Sequence, residues 1–327
     1  MFASDPSAVG ANRTIERTQG SEHTVLRDPL LRAIGNTPLL PLDRIVARHG
    51  GGFRLFGKAE FLNPTGSVKD RAALFIVEEA IEAGELRNGR TLVDASSGNT
   101  AVAYAMLGAR LGFPVRLCVP RNAHPERLRR MRALGAEIVL TDPMEGSDGA
   151  QREALRISRA QPEKYYYPDQ YNSPANPGAH YAGTGPEIWH QTNGRLTHFV
   201  AGVGTGGTIS GVARYLKEQQ PTIRVVGVEP TGPMHGIEGL KHLPSALRPS
   251  TYQERWVDAT MRIETEVAIE AQGALAREEG ISVGRSAGAA VAASLALGAS
   301  MAAASPEAFI VTILPDAADP MAQETDR

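Results

Sequence analysis

Two packed α/β lobes, each built on a parallel sheet and with a ligand held in the cleft between them, are what this sequence of 327 residues predicts. Three observations lead there. Short apolar runs alternate with helix-period segments through most of the chain, the mark of βαβ units around a parallel sheet. The length exceeds what one core commonly fills, since single cores stop growing near roughly 250–300 residues. A Pro- and Asn-rich stretch, Tyr171-Asn172-Ser173-Pro174-Ala175-Asn176-Pro177, breaks the rhythm near the middle, where a lobe boundary is expected.

The elements follow in order. Residues Met1 to about Thr24 carry Pro, Ser, Asn and mixed charge, with no apolar core of signal-peptide length, so a cytoplasmic protein is expected. No later run reaches the roughly 18 apolar residues of a membrane span. A helix from Arg71 to Ala83 presents Leu74, Val77 and Ile81 as one stripe and stops at Gly84. Strands are expected at Thr91 to Asp94, Val115 to Val119, Glu137 to Leu140, Thr197 to Ala201, Arg224 to Val228 and Ala308 to Leu314. A second stripe, Ala268, Ala271 and Leu275, runs up to Gly280. The strand-like run Ile281 to Val283 then leads into an Ala-rich helix near Ala287 to Ala304.

Composition narrows the partners. With 34 basic and 36 acidic residues the net charge is -2, which offers nothing to a nucleic acid or a membrane surface. A small molecule is the expected ligand. Cys118 is the only cysteine and lies in the run Val115-Arg116-Leu117-Cys118-Val119, so it reads as a buried strand residue rather than a nucleophile. No Cys/His spacing suits a metal.

Four segments carry chemistry. Asn63-Pro64-Thr65-Gly66-Ser67-Val68-Lys69-Asp70-Arg71 delivers a lysine to the first turn of a helix, where partial burial and the positive helix end disfavour its charged form. Alone, such a lysine reads as solvated. Asp94-Ala95-Ser96-Ser97-Gly98-Asn99-Thr100 follows a strand and opens a helix, so hydroxyls and unpaired N–H groups converge at a site suited to a carboxylate or phosphate. A plain helix cap needs only one serine of that set. Gly202-Val203-Gly204-Thr205-Gly206-Gly207-Thr208 also joins strand to helix, and its glycines let the backbone approach an anion. Its Gly202, Gly204 and Gly207 satisfy GxGxxG, a weak dinucleotide signal that belongs in the first βα unit of a domain, whereas here it stands in mid-chain. Gly284-Arg285-Ser286-Ala287-Gly288 is the fourth: its serine offers a hydroxyl to a ring nitrogen, or is an ordinary N-cap.

In this order and spacing the four segments resemble the cysteine synthase family of fold-type II pyridoxal-phosphate enzymes, and within it the cysteine synthase B branch. The likeness runs from Ile34-Gly35-Asn36-Thr37-Pro38-Leu39 through Ala175-Asn176-Pro177, His180-Tyr181, Thr184-Gly185-Pro186-Glu187-Ile188-Trp189 and Thr197-His198-Phe199-Val200 to Leu314-Pro315-Asp316. The resemblance implies the two-lobed fold of the tryptophan synthase β chain, pyridoxal 5'-phosphate as cofactor, and a homodimer. It makes Lys69 the Schiff-base lysine and general base, and Asn99 the partner of the cofactor's phenolic oxygen. Gly204, Thr205, Gly206, Gly207 and Thr208 would cradle the phosphate, and Ser286 would face the pyridine nitrogen. Ser96, Ser97, Thr100 and Gln170 would hold the substrate carboxylate, with Gly236 in the segment lining the mouth.

The domains expected on this basis are a flexible tail over residues 1–26, a large cofactor lobe over 27–63 plus 173–316, a small mobile substrate lobe over 64–172, and a tail over 317–327. The activity implied is replacement of the β-substituent of an O-activated serine, most simply O-acetylserine with sulfide or thiosulfate, through an α-aminoacrylate. A neutral serine at the ring nitrogen would keep the ring a modest electron sink, as elimination requires. The same scaffold also serves serine dehydratases, cystathionine β-synthases and synthases using an amine or cyanide, and fold alone does not choose among them. A cofactor- or partner-binding protein without turnover is the reading from another class.

Some positions depart from the family pattern. Ala101 stands where Gly is usual, Gly-Arg-Ser-Ala-Gly replaces Gly-Ile-Ser-Ser-Gly, and no Arg-Tyr-Leu-Ser stretch follows Pro315-Asp316. Thr231 stands near where phosphoserine-using relatives carry an arginine, which favours an uncharged leaving group unless Lys241, His242 or Arg285 supplies the charge.

Overall fold

The computed structural model describes residues 28–301 and 308–318. The expected N-terminal tail, the C-terminal tail beyond residue 318 and the end of the Ala-rich helix lie outside the described residues. Two sheets organise the rest. The larger has six strands in the order β1-β2-β10-β7-β8-β9, comprising β1 (Leu39–Pro41), β2 (Arg54–Ala59), β7 (His198–Gly202), β8 (Arg224–Pro230), β9 (Ala259–Ile263) and β10 (Phe309–Leu314). The smaller has four in the order β5-β4-β3-β6, from β3 (Thr91–Ala95), β4 (Val115–Pro120), β5 (Glu137–Thr141) and β6 (Tyr165–Tyr166). All pairings are parallel except β1 with β2.

Parallel strands are covered on both faces, so they read as apolar runs. β10 shows this: Phe309, Ile310, Val311, Thr312, Ile313 and Leu314 are all buried between β2 and β7. The strands that sequence reading passes over have other reasons to form. β2 contains Gly57 and Lys58; a Cβ on Gly57 would lie 2.6 Å from the Leu314 side chain, and Lys58 is fully buried in an ion pair with Glu187. β9 is an exposed edge, and β6 has only two residues. In the other direction, Ile281 to Val283 forms no strand: Val283 makes one bridge to Ala317, and its carbonyl accepts from Gln272 Nε2 at 2.7 Å, a side chain satisfying what a ladder otherwise would.

Four helices start at the site, α1 (Lys69–Glu82), α2 (Asn99–Leu111), α3 (Gly207–Gln219) and α4 (Arg285–Met301). α1 packs against α2 and the short helix Ala175–Ala179, so its buried face is broader than one stripe. It comprises Ala72, Ala73, Ile76, Val77 and Ala80, while Leu74 and Ile81 are half-buried. α4 is Ala-rich because it lies close against its neighbours. A Cβ on Gly288 would fall 2.1 Å from the Ala268 carbonyl oxygen, and one on Gly298 2.4 Å from the Phe53 ring. Among the described residues no helix is long and apolar enough to cross a membrane.

Candidate active site

The carboxyl ends of β3, β7 and β10 open onto a single cleft of about 510 Å³, where open parallel sheets place their ligands. Lys69, the first residue of α1, faces it. The loop before α1 is tied to the chain after β10: Val68 N–H donates to the Pro315 carbonyl at 2.7 Å, and Ala317 N–H to the Gly66 carbonyl at 3.1 Å. Asp70 closes the same loop by accepting from Thr65 N–H at 2.7 Å. Lys69 Nζ makes no hydrogen bond or ion pair with the described residues, and desolvation pulls its pKa down against the opposing pull of Asp316 and Glu60. An amine so placed gives up its proton more readily than a solvated lysine.

α2 begins at Asn99 with no side chain capping it, so its first N–H groups point into the cleft. Ser96 Oγ accepts from Gly98 N–H at 3.2 Å, which shapes the turn rather than caps the helix. Ser97 also lines the cleft and makes no side-chain hydrogen bond within the described chain. Thr100 Oγ1 donates to Gln170 Oε1 at 2.7 Å, and Gln170 Nε2 donates to the Ala95 carbonyl at 3.3 Å, so both ends of that glutamine brace the loop.

α3 is likewise uncapped, and Gly206 before it takes a left-handed φ of 83° that side chains resist. Gly207 is packed against Asn176, whose Oδ1 would lie 1.9 Å from an added Cβ. Asn176 Nδ2 in turn donates to Thr205 Oγ1 at 3.1 Å and to the Gln170 carbonyl at 2.8 Å. Thr208 Oγ1 meets His180 Nε2 at 3.2 Å, and burial holds His180 far below its ordinary pKa, hence neutral. Two uncapped helix ends, hydroxyls and a desolvated lysine with no hydrogen bond among the described residues form a donor set that fits a phosphorylated aldehyde together with an amino-acid carboxylate.

Of the residues expected at the site, Lys69, Ser96, Ser97, Asn99, Thr100, Gln170, Gly204, Thr205, Gly206, Thr208 and Ser286 line this cleft. Gly207 lies behind the loop. Gly236 also stands back, donating its N–H to Thr265 Oγ1 at 3.0 Å, while Glu238, Gly239, Leu240 and Lys241 of the same segment reach the cleft. Thr231 does not line it either. Sequence reading did not single out Asp316, Tyr171, Asn122, His124 or Arg127 as site residues, yet all five line the cleft. Arg127 pairs with Glu238 at 2.5 Å, and Lys241 Nζ stands 4.7 Å from the Tyr171 ring centroid. Asp316 had a usable signal, a carboxylate just past a buried strand; for the others only the fold assembles the wall. Cys118 is buried, its thiol pushed up to about 12 mainly by desolvation.

Fold and cleft together define an α/β enzyme that holds an anionic cofactor and an amino acid between two sheets. The chain belongs to the pyridoxal-phosphate dependent enzyme family, whose pattern matches residues 30–316, and pyridoxal phosphate is its cofactor. It is 46% identical over 291 residues to the cysteine synthase of Aquifex aeolicus, covering 89% of each chain. To cysteine synthase B of Salmonella typhimurium it is 42% identical over 290 residues, covering 89% of this chain and 93% of that one. The crystal structure of a cysteine synthase from Entamoeba histolytica superposes with a TM-score of 0.82 at 31% identity, covering 97% of this chain and 90% of that one.

Proposed function

We propose that this protein is a cysteine synthase, joining O-acetyl-L-serine and sulfide into L-cysteine and acetate. The observation that carries the reading is Lys69 Nζ at the start of α1, with no hydrogen bond among the described residues and its pKa lowered by desolvation, in one cleft with the uncapped ends of α2 and α3. Pyridoxal phosphate, when bound, supplies an aldehyde that amines join and a ring that spreads the charge left by a departing α-proton.

The side chains divide the remaining work. Gly204, Thr205, Gly206 and Thr208, with the first N–H groups of α3, hold the phosphate, and Gly207 lets that loop seat on Asn176. Asn99 and Ser286 hold the two polar positions of the ring. Ser96, Ser97 and Thr100, at the end of α2, hold the substrate carboxylate, with Gln170 fixing the loop. Lys69 would hold the cofactor through its amine, and the same amine, with its lowered pKa, would take the substrate's α-proton. Acetate leaves with the electron pair of the Cβ–O bond, and sulfur fills the place at Cβ. Lys241 at the mouth supplies positive charge to an anionic nucleophile.

The proposed division of labour places the small sheet, within residues 64–172, as the part that moves over the substrate, and the large sheet, within 27–63 and 173–316, as the part that holds the cofactor. The protein is taken to act as a cytoplasmic homodimer, which sedimentation velocity tests for the assembly. The functional test is direct. Holoenzyme given O-acetylserine and sulfide should form cysteine, and borohydride should fix the cofactor to the peptide bearing Lys69. Label on another lysine, or no cysteine above background, overturns the reading.

A further inference from the structure

Asn176, in the short helix Ala175–Ala179, stands behind the cleft wall between the two anion loops and is 3% exposed. Its neighbours dictate what its side chain does. The Gln170 carbonyl lies 2.8 Å from one terminal atom of Asn176, and a carbonyl only accepts, so that atom is the amide nitrogen. The same nitrogen lies 3.1 Å from Thr205 Oγ1 and can only donate to it. Both amide hydrogens are then used. From the other side Thr205 Oγ1 receives Gly207 N–H in a longer contact of 3.4 Å, and a backbone N–H likewise only donates. The Thr205 carbonyl accepts from Thr251 Oγ1 at 2.6 Å, so the backbone of this residue is held as well as its side chain.

A hydroxyl has one hydrogen and two lone pairs. With both lone pairs of Thr205 facing groups that only donate, its hydrogen has no acceptor among the described residues and turns to the cleft that Thr205 lines. We propose that Asn176 is a positioning residue that orients the Thr205 hydroxyl as a donor to the cofactor phosphate and, through the Gln170 backbone, ties the phosphate loop to the loop that holds the substrate carboxylate. The second link continues through the Gln170 side chain, which accepts from Thr100 Oγ1 at 2.7 Å and donates to the Ala95 carbonyl at 3.3 Å. A single buried amide thereby spans the two anion loops. The inference rests on the proposed seat of the phosphate at the start of α3.

The test is a double-mutant cycle read by cofactor affinity. Asn176→Leu, close in size and without donors, is made in the wild type, in Thr205→Val and in Thr205→Ser. Protein freed of cofactor is titrated with pyridoxal phosphate and followed by the absorbance of the bound form, while phosphorus NMR of the holoenzyme reports the surroundings of the phosphate. Asn176→Leu should weaken cofactor binding about tenfold in the wild type and in Thr205→Ser, but by less than about twofold in Thr205→Val, where no hydroxyl is left to orient. Its phosphorus resonance should move toward that of Thr205→Val. At saturating cofactor its KM for O-acetylserine should rise about three- to tenfold, because Gln170 has lost its tie. An undiminished effect in Thr205→Val overturns the proposal, since Asn176 then acts by packing alone, and so does an unchanged KM. Should Asn176→Leu not fold, Asn176→Ala, which cannot overpack, carries the same cycle. The levels separate cleanly: Thr205→Val binding cofactor as tightly as the wild type places the phosphate elsewhere and sinks the reading of the site with this proposal, whereas a weakened Thr205→Val with additive losses sinks this proposal alone.

Discussion

Arg71 and Glu60 form a two-pronged ion pair, Nε to Oε2 at 2.7 Å and NH2 to Oε1 at 2.8 Å, with side-chain exposures of 5% and 0%. Arg71 also reaches Glu187 with NH1 at 2.6 Å, and Glu187 holds the buried Lys58 at 2.6 Å. This network lies two residues from Lys69 and joins α1 to β2 and to the helix Gly185–Gln191. Removing the arginine strands a buried carboxylate, so Arg71→Met should lose about 3–5 kcal/mol in urea denaturation. Arg71→Lys should recover little, because an ammonium cannot make the fork. A loss under about 1 kcal/mol in Arg71→Met would show that the network contributes no net stability.

Asp94, near the end of β3, is fully buried; Oδ1 accepts from Ala95 N–H at 2.7 Å, and Oδ2 has no partner at hydrogen-bond geometry among the described residues, with Tyr104 and Gln170 facing the carboxyl. Desolvation pushes its pKa up to about 7 from an ordinary 3.8. Between those values the folded protein keeps a proton that the unfolded chain has released, so stability falls as pH rises through the window. The contribution is about 2–4 kcal/mol. Asp94→Asn should therefore flatten the stability profile between about pH 4 and pH 7. Equal slopes in variant and wild type would assign the titration elsewhere.

Ser97 offers the cleft a hydroxyl with no partner among the described residues. Its loss removes one hydrogen bond to a carboxylate, worth about 1.5–3 kcal/mol, or roughly one to two powers of ten in affinity. Ser97→Ala should raise KM for O-acetylserine by that factor and leave cofactor content unchanged, as titrated from the absorbance of the bound form. Parallel loss of both would mean that the carboxylate and phosphate sites are interchanged.

Gly207 has no room for a methyl group, since Asn176 Oδ1 would stand 1.9 Å from it and Asn176 is fixed by its bonds to Thr205 and Gln170. Gly207→Ala should push the loop off its seat and weaken cofactor retention by about tenfold or more, at least 1.4 kcal/mol. Dialysis followed by the cofactor absorbance measures it. Full retention would place the phosphate away from this loop.

Among the strands legible in the sequence, β10 and β4 are nearly wholly buried, and double burial demands an unbroken apolar run; β5, half-buried at best, was legible from the short run Ile138-Val139-Leu140. β2 was not legible. Its Gly57 and Lys58 are answers to Leu314 and Glu187, more than a hundred residues away in sequence, and no local pattern contains those partners. The Ala-rich helix α4 was legible as a helix, while the reason for its small residues, close packing of Gly288 against Ala268 and of Gly298 against Phe53, was not.

By itself the sequence determined the alternation of strand and helix, the four segments that open the site helices, and the lysine at the head of one of them, because each depends on neighbours within a few residues. Tertiary structure alone decided that Gly207 and Gly236 stand behind the cleft wall and that Arg127 and Glu238 meet across its mouth. It also decided that Ser286 Oγ comes within 3.2 Å of Asp316 Oδ1. The physical reason is common to all three: a hydrogen bond or a van der Waals limit acts over about 3 Å, and which atoms come within that distance is set by how the two sheets pack.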